Sequence, residues 1–226
     1  MKLIKLGSNY GGWIIPDIFS SKSICYFAGV GEDITFDVDF VNRYDCEVNL
    51  IDPTPRAIAH FNEIKSYSKI KNIYPKPSDF FYGHYKISTR QLNKIKYHSI
   101  GLGIDNDKVI FYPPLDNSHV SHSVLNLQNT SKKNGFMAEC KSLSSFMKML
   151  GHDHIDCLKL DIEGSELNIV NEIINKKINV KVLCVEFDYI KKIKKPTLDT
   201  MIKNLESANY ILVSNEFNHT FVLKSL

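Results

Sequence analysis

The chain has 226 residues, enough for one α/β domain with its own core. Apolar residues make up 43% and charged residues 23%, a balance typical of a globular protein and unlike that of a disordered chain. The formal net charge is only +3 and the lysine pairs are scattered, so the sequence gives no sign of a nucleic-acid-binding surface.

The cysteines indicate a reducing, cytoplasmic environment. The chain has 5 of them, an odd number, and none forms a Cys-x-x-Cys pair, which is the pattern of buried thiols rather than of a disulfide framework. The N-terminus lacks the apolar stretch of a signal peptide, and no window approaches the roughly 18 apolar residues of a membrane helix. We therefore expect a cytoplasmic protein without a membrane span.

A strand, a glycine turn and a helix follow the N-terminal segment of residues 1–23. The strand is predicted over residues 24–28, and Gly29-Val30-Gly31 comes directly after it. Apolar residues then recur at helical spacing from Ile34 onward, as they do on the buried face of a helix. A glycine turn in this place lets the backbone approach a ligand closely, while the helix N-terminus directs its N–H groups at it.

A second strand over residues 47–51 ends at Asp52, and another helix follows it. Thr54 can accept a hydrogen bond as the N-cap, and Pro55 suits the first helical position because it has no N–H to satisfy. The order strand, turn, helix, strand, helix is typical of the opening of a doubly wound α/β fold.

Two irregular segments, residues 66–93 and 113–134, interrupt this pattern. Between them, residues 95–102 look like a third strand, and Val109–Tyr112 the beginning of a small hairpin. Long insertions in α/β enzymes often carry substrate contacts. We therefore predict a single domain over residues 1–226, with both segments on the substrate side.

Regular structure returns after the second segment and continues to the C-terminus. Further strands are predicted over residues 136–141, 155–160, 180–187, 210–214 and 220–223, and helices after Ser142, after Glu166 and around 198–205. The last two strands predict an antiparallel hairpin on an otherwise parallel sheet. The expected fold is α/β and Rossmann-like, with a mostly parallel sheet and helices on both faces.

Two acidic residues, Glu32 and Asp33, follow the glycine turn. The dinucleotide-binding pattern G-x-G-x-x-G/A requires a small third residue, and that position is Ile34. Acidic groups repel a pyrophosphate but suit a cationic ligand such as S-adenosylmethionine, which carries a sulfonium and an ammonium group and no phosphate. Alternatively, both acids simply complement the dipole of the following helix.

Carboxylates also end two further strands. Asp52, with Pro53 behind it, lies about 20 residues beyond the glycines, where an acidic side chain can accept from both ribose hydroxyls of an adenosine. Asp161, Glu163 and Glu166 crowd the end of the strand over 155–160, and their mutual repulsion favours a cationic partner. Glu163 and Glu166 would also fit the first turn of a helix as dipole-compensating residues.

Several of these motifs resemble those of the FkbM-type methyltransferase family. Leu158-Lys-Leu-Asp-Ile-Glu-Gly-Ser-Glu166 is similar to its lKlDiEGsE signature, and Tyr26-Phe-Ala-Gly-Val-Gly-Glu-Asp33 resembles the G-x-G-E-D variant of its first motif. The second acidic motif and the following lliEf strand are matched by Leu50-Ile-Asp-Pro-Thr-Pro-Arg56 and Val182-Leu-Cys-Val-Glu-Phe187. Tyr10-Gly-Gly-Trp13 also fits, so the similarity runs from about residue 10 to the C-terminus.

Two departures accompany the resemblance. The broad family more often has D-x-G-A-N as its first motif, and many members have Phe-His after the glutamate that corresponds to Glu186, where this chain has Phe187-Asp188. The second departure removes the basis for a histidine-based role at this point.

The resemblance implies a class I methyltransferase fold with a seven-stranded sheet. It also implies S-adenosylmethionine as methyl donor and a hydroxyl, often on a sugar or natural product, as acceptor. By motif position it implies that Gly29, Gly31 and Asp52 contact the cofactor and that Asp161 faces the donor or acceptor. From their places beside these residues, Glu32, Asp33 and Pro53 complete our set of cofactor-binding candidates.

Methyl transfer to a hydroxyl needs a base, because an alcohol becomes a useful nucleophile only as its proton leaves. Our catalytic candidates are Asp161 first, then Glu163 and Glu186. Candidate acceptor contacts are the aromatic rings and loop histidine that could face a sugar: Trp13, Tyr85 and His119. A divalent metal would find oxygen ligands in the carboxylate cluster, but no spacing demands one, and we assign no metal ligands.

Two other functions remain open at this point: an NAD(P)-dependent oxidoreductase of the Rossmann type, and a cofactor-binding module without catalysis. Ile34 and the acids after Gly31 argue against the first. Stoichiometric cofactor binding without turnover would identify the second. We expect a small-molecule or glycan acceptor as partner and no nucleic acid; the sequence specifies neither the acceptor nor the oligomeric state.

Overall fold

The structure is a computed structural model and describes residues 1–71, 85–116, 120–126, 129–187, 195–216 and 218–224. Its strands are β1 (Leu3–Leu6), β2 (Trp13–Pro16), β3 (Cys25–Ala28), β4 (Val48–Ile51), β5 (Ile95–His98), β6 (Gly101–Leu102), β7 (Asn106–Phe111), β8 (Phe136–Lys141), β9 (Ile155–Leu160), β10 (Val180–Val185), β11 (Tyr210–Ser214) and β12 (His219–Leu223). Its α-helices are α1 (Thr35–Tyr44), α2 (Pro55–Lys71), α3 (Thr89–Leu92), α4 (Leu143–Leu150), α5 (Glu166–Lys176) and α6 (Lys195–Ser207).

The largest sheet has its strands in the order β11-β12-β10-β9-β3-β4-β5. From β10 to β5 all neighbours are parallel, whereas β12 is antiparallel to both β10 and β11. The strands β3, β4 and β9 are buried along their whole length. That burial explains their mostly apolar sequences, which are typical of parallel strands covered on both faces. The predicted α/β class with a large, mostly parallel sheet is confirmed.

The hydrophobic core lies on both faces of this sheet. On one face, Phe27 and Leu50 pack with α1, α2 and the strand β2. On the other, Tyr26 and Leu158 pack with α4, α5 and α6. Neighbouring residues of one strand thus enter opposite clusters, as the period of two in a strand requires. Ser142 caps α4 as predicted, since its hydroxyl oxygen accepts from the Ser145 amide at 3.2 Å.

The N-terminal segment forms an element that the sequence patterns did not predict. Strands β1 and β2 pair as an antiparallel hairpin, with Leu6 opposite Trp13. The hairpin packs against the sheet, where the Thr220 hydroxyl donates to the Ile14 carbonyl at 2.7 Å. Its turn, residues 7–12, extends toward the N-terminus of α1.

Two predicted boundaries differ from the structure. The strand expected over residues 95–102 is two strands, because β6 leaves the main sheet to pair with β8 in a three-stranded sheet of order β6-β8-β7. The irregular segment expected from residue 66 begins later, because α2 continues to Lys71. Residues 72–84 of that segment lie outside the described residues. The second insertion begins with a β-bridge between Tyr112 and Ser123.

Candidate functional site

The loops that carry the predicted site residues meet at the carboxyl edge of the main sheet. The Gly29 amide donates to the Ile51 carbonyl at 3.0 Å, and the Asp161 amide donates to the Ala28 carbonyl at 3.1 Å. The loops after β4 and β9 therefore flank the glycine loop after β3 on its two sides. The Glu186 amide donates to the Leu160 carbonyl at 2.9 Å, which places the loop after β10 next in line.

The two glycines of the loop serve different purposes. Gly29 has φ +79°, and a Cβ there would lie 1.6 Å from the Asp161 carbonyl oxygen, so only glycine permits this approach of two backbones. Gly31 also has a positive φ, +58°, but a Cβ on it would meet no atom within 4 Å. The glycine loop is thus locked against Asp161 at one end and borders open space at the other.

Asp52 holds the glycine loop from the side of β4. Its carboxylate accepts from the amides of Val30 at 2.9 Å and Gly31 at 3.1 Å, and from Thr54 at 2.7 Å. The residue is only 7% exposed. These three bonds leave part of the accepting capacity of the two oxygens unused, since a carboxylate offers about four lone-pair sites. Pro53 beside it is half-buried.

The two acids after the glycine loop both have protein partners. Glu32 forms a bidentate ion pair with Arg56, with N–O distances of 3.0 and 2.7 Å. Asp33 accepts from the Thr35 amide at 2.9 Å in the first turn of α1, and from the Ser8 hydroxyl at 2.6 Å. Asp33 therefore binds the first amide of α1 from just outside the helix and anchors the hairpin turn, which agrees with the alternative in which this acid complements the helix dipole. Contact of either acid with a ligand stays a prediction.

Asp161 lies beside a buried lysine. Its side chain is about one-third exposed, and its Oδ2 lies 3.8 Å from Nζ of Lys159, a residue that is only 5% exposed. The same ammonium group donates to the Gly29 carbonyl at 2.6 Å. Asp161 and Glu186 follow the paired residues Leu160 and Val185 of adjacent parallel strands, so they occupy neighbouring positions at the edge.

The carboxylate of Glu166 binds backbone amides of the loop after β9 and so holds its conformation. Glu166 is 3% exposed, and its carboxylate accepts from the Ile162 amide at 2.9 Å and the Gly164 amide at 2.8 Å. Burial raises the pKa of Glu166 to about 7. The loop passes through positive φ at Glu163 and Gly164, and the Glu163 carbonyl accepts from the Ser123 hydroxyl at 2.6 Å. The second insertion is thus attached directly to the acidic loop.

A comparison with known protein families identifies the family of this chain. The model of the Methyltransferase FkbM domain matches residues 31–212, most of the chain. The chain belongs to this family. The resemblance expected from residue 10 is thereby confirmed over residues 31–212. A comparison with curated proteins gives no match.

Two of the predicted acceptor contacts of this FkbM-family protein are buried in its core. Trp13 is 2% and Tyr85 1% exposed. Tyr85 accepts from the Ile34 amide at 3.1 Å and its hydroxyl donates to the Glu32 carbonyl at 3.2 Å, so it supports the glycine loop from within. Stacking on a sugar requires an exposed ring face, and we correct the prediction for both residues accordingly. The third candidate, His119, lies outside the described residues.

Several residues that build the candidate site have no clear signal in the sequence. Ser8 and Arg56 reach Asp33 and Glu32 only through the tertiary fold. Lys159 is recognisable in the sequence as a cation inside a mostly apolar strand, and this is the signal that could have found it. Within the described ranges, no group of three or more His, Cys, Asp or Glu side chains could hold a metal ion. Nor does any described helix have the length and apolar character needed to cross a membrane.

Proposed function

We propose that the protein transfers a methyl group from S-adenosylmethionine to a hydroxyl of a sugar, glycan or related small molecule. The observation that carries the proposal is the meeting of three loops of an FkbM domain at one sheet edge, around open space beside Gly31. Ligands of doubly wound α/β folds bind in this position, outside the carboxyl ends of the strands. The hydroxyl acceptor rests on the family resemblance. The five buried free thiols support a reducing, cytoplasmic location.

The residues at this edge fit a cationic nucleoside. Asp52 retains accepting capacity for ribose hydroxyls beyond its three backbone bonds. Gly29, Gly31 and Pro53 would border the nucleoside with backbone and ring atoms. Asp161 offers a partly exposed carboxylate that suits the ammonium or sulfonium of the donor, and no phosphate needs to approach it.

In this reaction the protein has to position the acceptor hydroxyl and remove its proton. When bound, S-adenosylmethionine supplies a methyl group that is electrophilic because it is attached to a sulfonium. The chain must hold the acceptor oxygen in line with that methyl group and accept its proton. We assign the proton to Asp161, the most central carboxylate, with Glu186 at the neighbouring strand end and Glu163 two residues beyond as the other acids of the site.

Titration calorimetry with S-adenosylmethionine, S-adenosylhomocysteine and NAD tests the cofactor directly. We expect binding of the first two and none of NAD. Transfer of labelled methyl from S-adenosylmethionine to a panel of sugars and other hydroxylated compounds then tests the reaction. The variant Asp161→Asn should retain its fold and lose at least about 100-fold in turnover, the lower range for a general base.

Three results would contradict the proposal. Tight binding of NAD without S-adenosylmethionine would favour the oxidoreductase. Cofactor binding with no transfer to any acceptor would favour a binding module. Near-normal turnover by Asp161→Asn would remove this carboxylate from proton transfer.

A further inference from the structure

Lys159 is a cation inside a fully buried strand of the main sheet. It lies on the central strand β9, every residue of which is buried, and it is 5% exposed. A buried ammonium group is unfavourable unless hydrogen-bond and charge partners compensate for its lost hydration. A methionine would fill similar space without that cost. Packing alone therefore does not explain why a lysine occupies this position.

The partners of Lys159 come from the two loops that form the candidate site. Its Nζ donates to the Gly29 carbonyl at 2.6 Å and lies 3.8 Å from Oδ2 of Asp161. The same nitrogen lies over the face of the Trp13 ring, 5.8 Å from its centroid. The ammonium group thus bridges the glycine loop after β3 and the acidic loop after β9.

A buried acid on α1, Asp37, also interacts with this cation, and the charge of Asp33 in the loop before α1 acts on Asp37 in turn. Asp37 is 2% exposed, and burial raises the pKa of its carboxyl to about 6, while the charge of Lys159 acts in the opposite direction. The charges of Asp33 and Asp161 add to the rise. Lys159 is therefore a cation that acts on both Asp37 and Asp161, and its removal changes the charge around these two carboxyl groups as well as the packing.

We propose that Lys159 is a positioning residue that couples the glycine loop to Asp161, so that the donor-binding conformation of one loop depends on the charge of the other. The cation holds the Gly29 carbonyl away from the ligand space and orients the Asp161 carboxylate beside it. The second part of this proposal rests on the proposed function. The first part concerns the two loops alone and is tested without a ligand.

The ligand-free test compares Lys159→Met and Lys159→Arg with the wild type by hydrogen exchange. Lys181→Met is the matched control, since Lys181 lies on the adjacent strand β10 and pairs with Asp156 at 2.6 Å at the amino end of the sheet. We expect faster amide exchange in both loops, residues 29–33 and 161–165, in Lys159→Met, partial rescue in Lys159→Arg, and no change there in Lys181→Met. Unchanged exchange in either loop overturns the coupling.

The ligand test measures S-adenosylmethionine affinity by calorimetry as a function of pH. Lys159→Met should weaken binding at least about 10-fold at neutral pH. Without the cation the site carboxylates protonate more readily, so the loss of affinity on acidification should begin about one pH unit higher than in wild type. A purely structural lysine would weaken binding equally at every pH, and a parallel pH profile therefore overturns the proposal.

Two further comparisons separate the remaining explanations. The variant Asp37→Asn in the Lys159→Met background should keep the shifted profile; its disappearance would assign the effect to Asp37 and overturn the coupling to Asp161. If the wild type binds no S-adenosylmethionine while the two loops respond to Lys159→Met in hydrogen exchange, the proposed function fails and the coupling stands. Thermal unfolding of each variant verifies that it is folded before either test.

Discussion

Gly29 and Gly31 adopt similar backbone conformations under different constraints. Both have positive φ, which costs a residue with a Cβ about 1–2 kcal/mol. At Gly29 the added methyl group would also overlap the Asp161 carbonyl, whereas at Gly31 it would enter open space. The two positions therefore separate what the fold requires from what a ligand requires.

Alanine at each glycine should give a different balance between loss of stability and loss of ligand binding. We expect Gly29→Ala to lower the free energy of unfolding by more than about 2 kcal/mol, because the strands β3 and β9 must separate locally. Gly31→Ala should cost about 1–2 kcal/mol and yet weaken S-adenosylmethionine binding, because its methyl group occupies the ligand space. Denaturant unfolding and calorimetry measure the two effects. Equal destabilisation by both variants would contradict the close approach at Gly29.

Asp52 connects β4 to the glycine loop through hydrogen bonds that an amide cannot reproduce. In Asp52→Asn one carboxylate oxygen becomes an NH₂ group, which cannot accept from the amides of Val30 and Gly31 or from that of Thr54. We expect a loss of about 1–3 kcal/mol in the free energy of unfolding together with weaker cofactor binding.

The exposed Asp107 on β7 provides the control for this charge change. Asp107→Asn should leave both the unfolding free energy and the cofactor affinity within error of the wild type. If Asp52→Asn binds S-adenosylmethionine as tightly as Asp107→Asn does, Asp52 is a structural residue of the loop and does not contact the ribose.

At the scale of elements, the N-terminal hairpin completes the glycine loop. The Gly7 amide donates to Asp39 at 2.9 Å and the Ser8 amide donates to the Thr35 hydroxyl at 2.8 Å, so the hairpin turn covers the first turn of α1. The Ser8 hydroxyl also accepts from the Gly11 amide at 2.8 Å while donating to Asp33. One serine thus organises the turn internally and fastens it to the loop.

Removal of this hydroxyl should detach the turn from the site without unfolding the sheet. We expect Ser8→Ala to lower the free energy of unfolding by about 1–3 kcal/mol, because the Asp33 carboxylate and the turn amides lose a partner. Cofactor affinity should fall with it. Ser207→Ala, at an exposed position of α6, is the control and should be neutral or slightly stabilising. A fully stable Ser8→Ala protein with normal affinity would show that the hairpin is independent of the site.

At the scale of the whole molecule, local sequence signals located the parallel core and the loops at its edge. Strands rich in apolar residues, such as Ile155–Leu160, and the Ser142 cap mark elements whose cause is local, and the sequence predicts these closely. The hairpin β1–β2 was missed because its four-residue strands are stabilised by tertiary contacts. The division of residues 95–102 into two strands depends on the distant partner β8, which no local pattern reveals.

In the candidate site, the positions of the acidic residues were predictable from the sequence, whereas their side-chain partners were not. Strand ends placed Asp52 and Asp161 at a common edge, because parallel strands align their carboxyl ends. The side-chain partners were not predictable, since Glu32 with Arg56 and Asp33 with Ser8 join segments that only the fold brings together. Burial of aromatic rings likewise depends on long-range packing, which is why Trp13 was expected at the surface of the site and lies in the core.

The buried Glu166 makes the stability of the whole molecule depend on pH. Its pKa is raised from the ordinary 4.5 to about 7, so the folded protein holds this proton more tightly than the unfolded chain. The stabilisation that this group contributes is complete below about pH 4.5 and is lost as the pH rises through about 7.

The Glu166→Gln side chain cannot titrate, and the unfolding free energy of this variant relative to wild type should therefore increase from pH 5 to pH 8 by up to about 3 kcal/mol. Chemical denaturation across this range measures the difference, and the exposed Glu206→Gln on α6 should show none. A flat difference for Glu166→Gln would mean that the carboxylate is ionised in the folded loop, with its two backbone bonds outweighing the effect of burial.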